Sequence, residues 1–149
     1  MQKGKVLALD YGKKRIGLAS GHLSMKIASP AGVVESKNMT YAISQILDFC
    51  KKWEVVLVII GLPTSMDDQE SEMSKNARYF EKKLLEALES SKDESLQKIE
   101  VKLFDERLSS FEADKLMVDA GKTSYDKKEY RDSFAAQIIL QRFFDSLGK

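Results

Sequence analysis

Apolar and polar residues follow distinct rhythms along the chain, and each change of rhythm marks an element. Lys5-Val-Leu-Ala-Leu9 is apolar without a break after its first residue, as a central strand covered on both faces would be, and it ends at Asp10. Tyr11-Gly12-Lys13-Lys14 reads as a turn, and Arg15 to Ser20 returns as an antiparallel strand, which completes a hairpin. Ala31 to Glu35 supplies a third strand of the same meander, with Pro30 at its start, where a missing N–H is tolerated.

From Met39 to Trp53 the period lengthens. Ile43, Ile46, Leu47 and Cys50 fall at i, i+3, i+4 and i+7, which predicts an amphipathic helix. Val55-Val-Leu-Val-Ile-Ile60 is a β-branched run that stops at Gly61-Leu62-Pro63 and predicts a second buried strand, parallel to the first through the helical crossover. After a polar loop from Thr64 to Glu72, Ala77, Phe80, Leu84 and Leu88 define one side of a helix from about Met73 to Leu88. Glu89 to Gln97 is polar and reads as a solvated connection. Ile99-Glu-Val-Lys-Leu-Phe104 alternates, predicting a third parallel strand that ends at Asp105-Glu106. Helical patterns follow over Ser110 to Ala120, with Gly121 as C-cap, and from Lys127 or Arg131 to Leu147. The order β-β-β-α-β-α-β-α-α predicts an α/β fold: a mixed five-stranded sheet, a three-strand antiparallel meander plus parallel strands, with helices on both faces.

Composition narrows the class. A chain of 149 residues with 43% hydrophobic side chains fits one domain over residues 1–149 and is long enough to bury a core without disulfides or a structural metal. Lys and Arg total 24 against 23 for Asp and Glu, so a net charge of +1 provides no long-range field for a polyanion or a membrane. Any charged partner must be recognised locally. One cysteine, Cys50, excludes an internal disulfide and suits a reducing compartment, the cytoplasm. The apolar start is cut by Asp10, Lys13, Lys14 and Arg15, so it does not read as a secretory signal, and no run approaches the roughly 20 residues of a spanning helix. A soluble protein is expected.

The acidic residues carry the candidate chemistry. In open α/β sheets ligands gather beyond the carboxyl ends of the parallel strands, and here those ends are Asp10, Gly61-Leu62-Pro63 and Asp105-Glu106. Asp132 shares a helical stripe with Ala135, Ala136, Ile139 and Phe143, the stripe expected to face the sheet. Gathered carboxylates repel one another unless cations neutralise them, and Mg²⁺ or Mn²⁺ suits oxygen donors in a chain without a thiolate or histidine cluster. Bland readings compete. Asp132 could cap a helix, although Asp126 with Glu129 forms a rival capping pair that would place Asp132 inside it. Asp105 and Glu106 face opposite sides of an ideal strand, so only one reaches the site directly; alternation groups Asp105 with Ile99, Val101 and Leu103, but a strand end can break that parity. His22 reads as a surface loop residue, Cys50 as a core residue without an activator, and the charged stretch from Glu81 to Glu94 as a solvated face.

Asp10-Tyr-Gly-Lys-Lys-Arg-Ile-Gly-Leu-Ala19 resembles the opening motif of the YqgF/RuvX family of Holliday-junction-resolvase-like bacterial nucleases. Three further segments resemble it in order: Ile60-Gly-Leu-Pro-Thr-Ser-Met-Asp67, Asp105-Glu-Arg-Leu-Ser-Ser-Phe-Glu-Ala113, and Lys127-Lys128 with Asp132-Ser-Phe-Ala-Ala-Gln-Ile-Ile-Leu-Gln141. Two positions depart from the family pattern, Asp68 where Gly is usual and Ser110 where Thr is usual. The resemblance implies a ribonuclease H-like fold and a divalent-metal nuclease that processes the 5′ end of precursor 16S rRNA in ribosome biogenesis, in association with the ribosome. Branched DNA, the Holliday junction, is the alternative substrate. Carried over by position, Asp10, the Asp105-Glu106 pair and Asp132 are the catalytic acids.

Phosphodiester hydrolysis by two metal ions roughly 3.5–4 Å apart fits these acids, with Asp10 bridging the ions and Glu106 (or Asp105) and Asp132 each holding one. Lys13, Lys14, Arg15, Arg107, Lys127, Lys128 and Arg131 lie close to them in sequence and are candidate contacts to flanking phosphates. Two rivals remain. A non-catalytic nucleic-acid-binding module would keep the fold without cleavage, and an actin-like ATP phosphotransferase also opens with Asp-x-Gly but needs two such domains. Whether the chain works as a monomer or a homodimer is open at this stage; cleaving a junction on both sides needs two sites.

Overall fold

A computed structural model of the chain describes residues 4–12, 14–62, 72–105 and 127–147, with the backbone alone at 62, 72–74, 105 and 127–132. Strands β1 (Lys5–Tyr11), β2 (Arg15–His22), β3 (Ser29–Glu35), β4 (Val55–Leu62) and β5 (Glu100–Asp105) form one sheet in the spatial order β3-β2-β1-β4-β5. The first three make the antiparallel meander, while β4 lies parallel to β1 and β5 parallel to β4. The sheet is the mixed five-stranded one expected from periodicity. Helices α1 (Met39–Lys52), α2 (Glu72–Glu89), α3 (Glu94–Gln97) and α4 (Lys127–Ser146) complete the described elements. The helix expected over Ser110 to Ala120 lies outside the described residues.

Side chains two apart on a strand share a face, and the core divides accordingly. Leu7, Leu9, Ile16, Leu18, Val58 and Ile60 meet Ala42, Ile43 and Ile46 of α1 and Ala77, Phe80 and Leu84 of α2. Val6, Ala8, Ala19, Leu57 and Ile59 point the other way, against Ala136, Ile139, Leu140 and Phe143 of α4. Both faces of β1 are therefore dry, which is why its sequence is a continuous apolar run. Burying a side chain of this size contributes about 1.5–3 kcal/mol, so each face is held by several large contributions.

Local signals set the helix ends. Asn38 caps α1, its Oδ1 accepting from the Tyr41 N–H at 3.0 Å, and Lys51 and Lys52 close the last turn where the helix dipole favours cations. The expected solvated connection contains α3, a single helical turn. Asp93 caps it by accepting from the Ser95 N–H and hydroxyl, bonds that hold its carboxyl below the usual range, and Leu96 is buried in the core. One apolar residue in nine sets no period, so that turn was invisible as a pattern. No helix among the described residues is long and apolar enough to cross a membrane.

Candidate active site

Asp10 lies at the carboxyl end of β1, half-buried, on the face that Val6 and Ala8 present to α4. Its partner across the β1–β2 ladder is Gly17, which adds no side chain on that face. Tyr11 turns to the opposite face, where its ring lies 4.9 Å from that of Phe80 and burial raises its hydroxyl pKa. The next residue explains the motif's glycine. A Cβ on Gly12 would stand 2.7 Å from the Arg15 carbonyl oxygen, so the chain can double back after Asp10 only without one. Ser36 braces this turn, its hydroxyl donating to the Gly12 carbonyl at 2.6 Å and its N–H to the Lys14 carbonyl at 2.9 Å.

Positions 105 and 132 come to the same end of the sheet by their backbones. Position 105 ends β5 in register with Leu62, the last residue of β4, while Leu9 pairs with Ile60. Position 132 lies within α4, because the helix begins at Lys127, and the N-cap reading of Asp132 therefore gives way to the interior one. Ala135, Ala136, Ile139 and Phe143 are buried, as the stripe predicted. Along its length α4 bonds to the β2–β3 layer at three levels, four residues apart. Ser133 reaches Leu18 and Gly32, Gln137 donates to the Ala28 carbonyl at 3.1 Å, and Gln141 accepts from the Ala28 N–H and donates to the Lys26 carbonyl, both at 3.0 Å. Leu18 stands opposite Leu9, and Ser20, farther along β2, pairs with Ser29 near that connection. The first turns of α4 are thus at the Asp10 end, on the face Asp10 occupies.

Glu106, Arg107 and Lys13 lie outside the described residues, and at Asp105, Asp132, Lys127, Lys128 and Arg131 the backbone alone is placed. Of the basic candidates with described side chains, Lys14 is exposed in the turn, and Arg15 opens β2 opposite Glu35 of β3. Among the described residues no three His, Cys, Asp or Glu side chains gather at one point. Asp10 is the one expected ligand whose side chain is described. The donor set suits a hard divalent cation, since the sole histidine, His22, pairs with Lys5 at the far end of β1, and the sole cysteine is in α1 behind the other face. Burial pushes the Cys50 thiol up to about 12, which keeps it protonated and inert.

Sequence reading missed Ser133. It is 3% exposed and sits among the apolar positions of α4; a hydroxyl in a stripe otherwise made of Ala, Ile, Leu and Phe was the available signal.

The arrangement, a meander leading by a helix into parallel strands with an acid at the end of the first, is that of the ribonuclease H-like resolvases. Thermus thermophilus RuvC bound to a Holliday junction superimposes with a TM-score of 0.54 at 13% identity, over 97% of this chain and 95% of that one. The Fowlpox virus resolvase with its Holliday junction gives 0.53 at 13% identity, over 97% and 99%. At the level of sequence, the model of the RuvX family, described as Holliday junction resolvase, matches residues 4–146, and the chain belongs to that family. A protein of Thiobacillus denitrificans named "Putative pre-16S rRNA nuclease" is 38% identical over 143 residues, 96% of this chain and 92% of its own length. One of the same name from Nitrosospira multiformis is 33% identical over 142 residues, 95% and 88%. The chain is of the nuclease class, a hydrolase of nucleic-acid ester bonds.

Proposed function

We propose that this chain is a divalent-metal-dependent nuclease that trims the 5′ end of precursor 16S rRNA in the cytoplasm, acting in association with the ribosome. The observation that carries this reading is the placement of Asp10 at the end of β1, on the face covered by α4, with the first turns of that helix at the same end of the sheet. The names of the full-length relatives supply the substrate.

Asp10, Glu106 and Asp132 are assigned to hold the cations. Phe104 is the last residue of β5 with a described side chain, and it packs against Phe143 of α4, on the Asp10 face. Asp105 ends β5 at a position that groups with Val101 and Leu103, on the opposite face toward α1 and α2, so the role is assigned to Glu106, the next acid of the motif. Bound Mg²⁺ or Mn²⁺, as a pair, supplies the activation of water and the stabilisation of the leaving oxygen. Asp10 holds its carboxylate at the end of a strand buried on both faces, with the side-chain-free Gly17 as its partner across the ladder. Lys13, Lys14, Arg15, Arg107, Lys127, Lys128 and Arg131 are assigned to contact flanking phosphates, which positions a strand without specifying its sequence. Such contacts let a nearly neutral protein hold nucleic acid, with an affinity that falls as salt rises.

The test is a cleavage assay with Mg²⁺, Mn²⁺ or EDTA on a precursor 16S fragment, a single-stranded RNA and a four-way DNA junction, using the native chain and Asp10→Asn. Metal-dependent cut ends at the mature 5′ position, absent in the variant, are expected. Cleavage of the junction alone would transfer the reading to branched DNA. Binding without cleavage of any substrate would leave a non-catalytic module.

A further inference from the structure

Between β2 and β3 the ladder is opened by a bulge. Leu18 pairs with Gly32 and Ala19 with Pro30, so Ala31 has no partner on β2. Gly32 takes φ +107°, a conformation that L side chains rarely adopt, and Pro30 brings no N–H. Into this opening comes the Ser133 hydroxyl. It donates to the Leu18 carbonyl at 3.0 Å and accepts from the Gly32 N–H at 3.3 Å, so one side chain from α4 bonds both strands. Ser133 is almost wholly buried, and the two partners are 115 and 101 residues earlier in the chain.

The location gives this bridge a consequence for the site. Leu18 stands directly opposite Leu9, the neighbour of Asp10, and Ser133 directly follows Asp132. A bond from Ser133 to the Leu18 carbonyl therefore ties the helical turn carrying position 132 to the rung next to Asp10. Gln137 and Gln141 secure α4 as well, but to residues 26–28, away from that end. We propose that Ser133 is a positioning residue: its hydroxyl, seated in the β2–β3 bulge, fixes the first turns of α4 against β2 and β3, one rung from the end of β1, so that Asp10 and Asp132 share a divalent cation. The proposal rests on the assignment of these two acids under Proposed function. Carboxylates that share an ion must be held to within about 0.5 Å, and a hydroxyl with two backbone partners restricts both the slide and the roll of the helix. Removing groups that orient ligands in this way lowers metal affinity by roughly 10–100-fold.

The test compares Mn²⁺ affinity, read by electron paramagnetic resonance without nucleic acid, in the full chain and in Ser133→Ala, Gln141→Ala, Asp132→Asn and Gly32→Ala. Gln141→Ala removes backbone bonds of the same kind at the distal end, so it reports what loosening the helix does on its own. Weakening of roughly 10–100-fold in Ser133→Ala, native affinity in Gln141→Ala, and an unchanged KM for nucleic acid with reduced kcat in Ser133→Ala are expected. The Gly32 amide should also exchange faster in Ser133→Ala. If Ser133→Ala does not fold, Gly32→Ala disturbs the same rung from the other strand. Its Cβ would meet nothing within 4 Å, so its effect comes through backbone conformation, and it should weaken Mn²⁺ in the same way. Native affinity in Ser133→Ala, or in Gly32→Ala where it stands in, together with loss in Asp132→Asn, overturns the positioning role and leaves the site intact. Native affinity in Asp132→Asn overturns the site itself, and the proposal with it.

Discussion

The Arg15 carbonyl oxygen occupies the space that a Cβ on Gly12 would need, 2.7 Å from where that atom would stand. The obstacle is backbone, which cannot rotate away as a side-chain tip can. Gly12→Ala must therefore push the start of β2 off the end of β1, two residues from Asp10. Strain of this kind costs about 1–3 kcal/mol, and the displaced turn also pulls at the Ser36 hydroxyl bond to the Gly12 carbonyl. Lower melting temperature together with a loss of cleavage larger than the unfolded fraction explains is expected. A fully active variant with native stability would show that the turn is more yielding than this geometry requires.

That glycine marks how far the sequence could be read. Two-residue and 3.6-residue periods are local, so the five strands, α1, α2 and α4 follow from the spacing of apolar residues together with the turn residues between them. The convergence of strand ends also follows, since parallel strands joined by helices finish on one side. The inner bonds do not follow. Ser133, Gln137 and Gln141 find their partners more than 100 residues away, and nothing in the local pattern specifies a bulge at Ala31 or a hydroxyl to fill it. Asp105 and Glu106 stayed ambiguous for a related reason. Parity reads cleanly only while a strand lasts, and β5 ends at Asp105.

Phe80 tests the other side of the site. It is fully buried between α2 and the sheet, with Tyr11 against its ring. Phe80→Ala should destabilise the chain by about 3–5 kcal/mol, because the cavity adds to the lost transfer energy. Urea unfolding measures this directly, and a change under about 1 kcal/mol would mean that the site collapses far better than a fully enclosed one can. Asp10→Asn should show the reverse, a native unfolding midpoint with cleavage abolished. The two variants separate a ring that stabilises the fold from one face of β1 from the carboxylate on the other face that is assigned the chemistry.

Gln141 gives a stability prediction independent of the metal. Its amide satisfies the N–H of Ala28, which is buried, and the carbonyl of Lys26. Gln141→Ala strands a buried donor, at about 1–3 kcal/mol. Faster amide exchange at Ala28, with exchange at Gly32 unchanged, is the expected signature. Equal acceleration at both would show that α4 detaches from the sheet as one unit.

Cys50 predicts a pH dependence that its burial fixes in sign. The folded thiol titrates at about 12 against an ordinary 9.0, because desolvation disfavours the thiolate. Below about pH 9 both states keep the proton and the thiol's contribution is constant. Above it the unfolded chain loses its proton first, binds fewer protons than the folded one, and is lowered in free energy relative to it, so stability falls as pH rises toward 12. Tyr11, also raised by burial, adds a loss of the same sign from about 10.0 upward, so total stability alone cannot isolate the thiol. Cys50→Ala can. The variant lowers stability by a pH-independent amount, for the small cavity it leaves, and it removes the thiol's slope, so the gap between the two curves should narrow from about pH 9 to about pH 11. Urea unfolding across that interval measures it, and a constant gap would mean that water reaches the thiol in the folded state.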